Sequence, residues 1–133
     1  MPKPLKGIRV LDLTAFQQGP VATQLLADMG AEVIKIEPPE GEPARGLLRM
    51  HGVDVPVNFY YQNQNRGKKG IVLNLKLDKG KEVLYKLTEK SDVFATNYRE
   101  SAVRKLMADY ETLRKYNDKL IYAISSGYVA SQY

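Results

Sequence analysis

The chain contains no cysteine, which excludes disulfides and thiolate metal sites and makes the reducing cytoplasm its expected location. It has one histidine, His51. A lone imidazole reads as a surface or core residue, because a general base needs an orienting partner. No apolar run approaches the length of a membrane span, and the opening MPKPLKG is not followed by the apolar stretch of a signal peptide. Glycine is scarce where a dinucleotide site would need it. Between the first expected strand and the first expected helix, TAFQQGP holds only Gly19, followed at once by Pro20. A G-x-G-x-x-G turn, which lets the backbone meet a pyrophosphate, is missing, and this argues against an NAD site.

What is present describes one domain spanning residues 1–133, 44% hydrophobic and 26% charged. The net charge of +5 is unevenly placed. Residues 1–67 carry seven basic and seven acidic side chains, whereas residues 68–133 carry thirteen and eight. The basic half is either a solvated face or a surface for an anionic partner, a phosphorylated cofactor before a nucleic acid.

The hydrophobic pattern alternates between two periods. IRVLDL (Ile8–Leu13) and AEVIKI (Ala31–Ile36) read as buried parallel strands. Between them Pro20 suits a first helical turn, VATQLLADM places apolar residues at 21, 25, 26 and 29, and Gly30 is the expected stop. EPPEGEPARG is a loop, VNFYYQNQN a short helix, and NRGKKG a cationic turn into the strand IVLNL (Ile71–Leu75). KGKEVLYKLTEK is an amphipathic helix with Val83, Leu84 and Leu87 inward. DVFAT (Asp92–Thr96), two short helices in SAVRKLMADY and YETLRKYN, and LIYAIS (Leu120–Ser125) complete the series. The alternation predicts an α/β fold, a Rossmann-like doubly wound parallel sheet of about five strands with flanking helices.

Ligands of open α/β sheets bind beyond the carboxyl ends of the strands. Gln17 and Gln18 stand at that edge, and Asn97, Tyr98 and Arg99 follow another strand end. Lys68 and Lys69 suit phosphates as point charges. Together they make a nucleotide cleft. Taken singly they also fit solvated or capped loops, and spacing does not separate the two.

In order and spacing, PLKGIRVLDLT…GPVATQLLADMGAEVIKIEPPEGEPAR, NQNRGKKGIVLNLK, GKEVLYKLTEKSDVFATNYR and YETLRKYNDKLIYAISSGY resemble the N-terminal region of class III CoA-transferases. That family includes formyl-CoA transferase, carnitine CoA-transferases and methylacyl-CoA racemases. The resemblance implies a Rossmann-like fold whose glycine-poor turn binds coenzyme A, with acyl-CoA as substrate and no metal. It implies that Phe16, Gln17 and Gln18 line the thioester end, with Gln17 near the reacting carbonyl. Lys68 and Lys69 would lie near the nucleotide phosphates and Leu73 on the adenine side. Asn97 and Tyr98 match an Asn-Phe pair of the cleft wall, and Arg45 matches a loop arginine.

Two departures and one shortfall accompany the match. The family's Arg-Pro-Gly after Asn-Phe is Arg99-Glu100-Ser101 here, and an Asn-Pro pair is Asn117-Asp118. The family's nucleophilic aspartate, which attacks the thioester to form a mixed anhydride, lies past the SGY turn, beyond residue 133. The resemblance therefore implies a truncated N-terminal piece, inactive alone. A non-catalytic CoA or adenine-nucleotide module, or a remnant acting only through assembly, are the alternatives. Family members form interlocked dimers, so a homo-oligomer is expected, without nucleic acid or membrane as partner.

Overall fold

A computed structural model describes residues 3–53 and 56–127. The strands are β1 (Arg9–Leu13), β2 (Glu32–Glu37), β3 (Lys69–Val72), β4 (Val93–Thr96) and β5 (Ile121–Ile124). They form one all-parallel sheet in the order β3-β2-β1-β4-β5. The first strand sits at the centre. The chain runs outward to β3, returns across β1, and continues to β5 on the other side. Neighbouring β1 and β4 therefore send their following loops in opposite directions, which opens a crevice at the switch point.

Right-handed crossovers place the helices on two faces. α1 (Gln18–Asp28) and α3 (Phe59–Asn65) follow β1 and β2, with the short α2 (Leu47–Met50) and a single 3-10 turn at Pro43–Arg45 between them. α4 (Asp78–Thr88), α5 (Glu100–Lys105) and α6 (Tyr110–Leu113) belong to the crossovers leading to β4 and β5. The larger core lies on the second face, where Leu11, Leu13, Phe94, Leu84 and Leu113 pack together. The smaller one joins Val10 and Val33 to Ala27 of α1.

All five expected strands are present and parallel, with ends shifted by at most three residues. The largest shift is at β3. Its ladder begins at Lys69, inside the segment expected to be a turn, and Leu73 and Leu75 leave it to enter the core. Asn74 ends the strand by accepting from the Lys76 and Leu77 amides.

The helical faces depart further from the apolar pattern. In α1 the buried residues are Gly19, Pro20, Thr23, Gln24 and Ala27, Leu26 is half-buried against the smaller core, and Leu25 and the C-capping Met29 are exposed. A helix laid closely on a sheet needs small residues underneath, and Gly19 shows how closely. A Cβ there would stand 2.5 Å from the Thr14 Cβ and 3.1 Å from the Asn97 Cγ. In α4, Leu84 and Thr88 are fully buried, Leu87 is half-buried, and Val83 is exposed.

Leu84 lies at the centre of the larger core and is fully buried. Leu84→Ala should lower unfolding stability by about 3 kcal/mol, the usual cost of removing a buried leucine side chain. Urea denaturation followed by circular dichroism measures it, and a loss under about 1 kcal/mol would contradict this packing.

Candidate functional site

The turn between β1 and α1 and the loop after β4 meet at the switch point. Asn97 joins them with both arms of its amide. Its Oδ1 accepts from the Ala15 N–H at 2.8 Å, and its Nδ2 donates to the Ala15 carbonyl at 2.8 Å. Phe16 follows in the left-handed region, at φ 63°, and its ring is half exposed. Gln17 and Gln18 are exposed beside it, and no side chain caps the start of α1. The start of α1 brings the positive end of the helix dipole to this edge, with Pro20 in the first turn contributing no N–H. Tyr98 is half-buried at the same edge, where burial first, then the nearby carboxylates of Glu42, Asp12 and Glu37, push its hydroxyl pKa up.

Two buried charge networks support the turn. In the first, the Asp12 carboxylate is fully buried inside β1. Oδ1 accepts from the Thr14 amide at 3.0 Å and the Thr14 hydroxyl at 2.5 Å. Oδ2 accepts from the Thr23 hydroxyl at 2.7 Å and from Lys68 Nζ at 2.8 Å. Lys68 also donates to the Pro20 carbonyl, the Thr23 hydroxyl and Asn65 Oδ1, each at 2.9 Å. Burial pulls the Lys68 pKa below its ordinary value, and the Asp12 charge counters that pull.

The second network crosses from β2 to the loop after it. Lys35 Nζ lies 2.7 Å from Glu42 Oε2, with both side chains buried, and donates to the Thr14 carbonyl at 2.9 Å. Glu42 Oε1 accepts from the Phe16 amide at 2.7 Å. The Glu42 amide donates to Glu37, whose carboxylate also receives Arg45 through two bonds of 2.6 and 2.8 Å. The Tyr61 hydroxyl donates to Glu37 at 2.5 Å, with the Arg45 guanidinium stacked 4.0 Å from its ring centroid. Burial by itself would raise the Glu37 pKa, but Arg45, Tyr61 and the Glu42 amide outweigh it and hold it at about 2.

The structure therefore brings Phe16, Gln17, Gln18, Asn97 and Tyr98 together. Arg45 stands at the C-terminal end of β2, engaged with Glu37. Leu73 is buried in the core. Lys68 and Lys69 do not join the edge residues. Lys68 is enclosed beneath α1, and Lys69 points to the opposite end of the sheet, 2.5 Å from Glu32 at the start of β2. A groove of about 380 Å³ between α3 and the β2–β3 strands is lined by Lys35, Arg45, Arg66, Lys68 and Lys69. Each of these cations faces its own carboxylate, so the groove is not an open cationic site. Sequence reasoning missed Lys35 and Glu42. A lysine inside the buried strand AEVIKI was the available signal, because a charge there requires a partner.

A five-stranded parallel sheet with its crevice at the β1/β4 switch, and a glycine-poor first turn, defines a Rossmann-like α/β protein. The family model described as CoA-transferase family III matches residues 5–132, and the chain belongs to that family. It is 43% identical over 129 residues to the formyl-CoA:oxalate CoA-transferase of Streptomyces avermitilis, covering 96% of this chain and 31% of that one. The cinnamoyl-CoA:phenyllactate CoA-transferase of Clostridium sporogenes is 42% identical, covering 92% and 30%. A crystal structure from Mycobacterium tuberculosis matches with TM-score 0.87 and 39% identity, over 97% of this chain and 35% of the other. A CAIB/BAIF family protein from Brucella suis matches with TM-score 0.81 and 34% identity, over 93% and 33%. The chain thus spans about a third of the length of the relatives it matches.

Two outcomes follow from the networks. Asp12→Ala leaves Lys68 buried without its counter-charge and should cost about 3–5 kcal/mol of stability in denaturant titrations. Lys69→Ala, at an exposed pair, should leave the unfolding midpoint unchanged. The second outcome concerns acid. Glu37 has a depressed folded-state pKa, so its contribution is fully present above the ordinary carboxyl value of 4.5 and lost as pH falls toward about 2. Between about pH 5 and 2.5, thermal melts should show wild type losing more stability than Glu37→Gln. Parallel losses would remove Glu37 as the cause.

Proposed function

We propose that this chain is the CoA-binding part of a class III CoA-transferase, with an acyl-CoA thioester lying across the carboxyl edge of the sheet at the β1/β4 switch. One observation carries the reading. Asn97 ties the loop after β4 to Ala15, which sets Phe16, Gln17, Gln18 and Tyr98 at one strand edge beside the uncapped start of α1. The relatives' names supply the substrate class, CoA thioesters exchanged with carboxylic acids. In this reading the exposed Gln17 amide lies near the thioester carbonyl and the α1 amides face negative charge. Arg45 would border the nucleotide end, and Leu73, whose side chain is buried in the core, would lie beneath it.

The nucleophile does not come from these residues. Asp12 is fully buried and ion-paired, and Asp109 caps α6 through the Thr112 amide and hydroxyl. Glu111 lies exposed beside Arg114. The chain alone binds CoA without transferring it. It acts in the cytoplasm and assembles as a homo-oligomer. That assembly is supported by the exposed Leu25 on α1, Met29 at its C-terminal cap and Ile121 on the edge strand β5.

Titration calorimetry of the 133-residue chain with CoA tests the reading. Saturable binding is expected, weakened about tenfold or more by Phe16→Ala with Gln17→Ala, equivalent to about 1.4 kcal/mol. Lys69→Ala should leave the affinity within about twofold, since its ammonium lies at the other end of the sheet. Absence of binding would leave the assembly-only reading as the better one. Incubation with an acyl-CoA and hydroxylamine should trap no anhydride, and a hydroxamate on any carboxylate of this chain would overturn the assignment of an inactive part.

A further inference from the structure

The β1–α1 turn is gripped by side chains from three separate elements. Lys35 of β2 donates to the Thr14 carbonyl, Asn97 after β4 closes both bonds on Ala15, and Glu42 from the β2–α2 connection accepts from Phe16. Three consecutive backbone units are fixed this way. The third is a bulky residue at φ 63°, a conformation that non-glycine residues leave unless surrounding contacts hold it. Glu42 and Lys35 are both buried. Lys35 has a simple role in this geometry. It neutralises Glu42 inside the protein, so that a charged acceptor can be presented to the Phe16 amide.

We propose that Glu42 and Asn97 are positioning residues: with Lys35, they hold Phe16 in its left-handed turn before any ligand arrives, and so aim Phe16 and Gln17 at the thioester. This rests on the CoA reading of the edge. Asn97 acts on the ligand through Ala15, because both arms of its amide are engaged there. A pre-formed turn removes an ordering cost at binding, and losing it appears as weaker affinity without a lost ligand contact.

The test separates the grip on Phe16 from the ion pair. Lys35→Met with Glu42→Gln removes both charges and keeps an acceptor for the Phe16 amide. Lys35→Met with Glu42→Leu removes both charges and the acceptor. Amide hydrogen exchange by NMR on the ligand-free chain, together with a CoA titration, compares the two. Both variants lose the Lys35 bond to the Thr14 carbonyl, so they are compared with each other and not with wild type. The Leu variant should exchange Phe16 at least about tenfold faster than the Gln variant and bind CoA about tenfold more weakly, with Leu84 protection equal in both. Equal Phe16 exchange in the two variants, or equal CoA affinity despite different exchange, would overturn the proposal. Asn97→Ala against Asn97→Asp, read at the Ala15 amide, supplies the same comparison at a half-buried site should the doubly substituted chains not fold. If wild type does not bind CoA, the binding reading fails at that step, while the exchange comparison still decides whether the grip exists.

Discussion

A carboxylate with no access to water must be answered from within the protein, and Asp12 is such a group at the centre of this sheet. Its four hydrogen bonds reach Thr14 just past its own strand, Thr23 on α1 and Lys68 at the entry to β3. Lys68 then reaches back to the Pro20 carbonyl and across to Asn65 on α3. One buried pair thus fixes where α1 begins, how α3 ends and where β3 enters. Replacing such a pair with apolar side chains often costs nothing in stability, so its effect here lies in register more than in energy. Only one placement of α1 lets Thr23 and Lys68 both reach Asp12.

The cleft depends on that placement. With α1 seated over Thr14 and its glycine pressed against that side chain, the turn ahead of the helix must fold back on itself within three residues. The left-handed Phe16 is how it does so. The polar groups around it form a hierarchy by depth. The innermost pairs set the backbone, the half-buried Asn97 and Tyr98 shape the wall, and the exposed Gln17 and Gln18 are left to meet a ligand. That ordering explains how a fold without the glycine-rich turn can still present a defined edge.

The sheet was legible from sequence because buried parallel strands are short apolar runs bounded by Gly, Pro and charge, as IRVLDL and DVFAT are. The parallel arrangement followed from the helices between them. The buried faces of helices were less legible. Of the apolar stripe at 21, 25, 26 and 29, Leu26 packs against the smaller core, Leu25 and Met29 are exposed, and close packing on the sheet selected Gly19, Thr23 and Ala27 by size. The convergence of the β1 and β4 loops was legible from the rule for strand ends. The destinations of Lys68 and Lys69 were not, because adjacent residues at the start of a strand point to opposite faces and only the partners decide which is buried. The pairing of Lys35 with Glu42 spans a loop whose path no local pattern fixes.

The strand order has a consequence for how the molecule assembles in time. β1 meets β2 across a separation of 23 residues, but it meets β4 only across 83. Closing the longer loop carries the greater entropic cost and slows folding accordingly. Both buried ion pairs and the strands β1, β2 and β3 lie between residues 9 and 72, while the larger core against them is completed later by Leu84, Phe94 and Leu113. Asn97 comes later in the chain and reaches Ala15 only when β4 docks against β1. The partners of both ion pairs beneath the turn therefore leave the ribosome first, and the crevice acquires its shape, and the sheet its larger core, with the late arrival of β4.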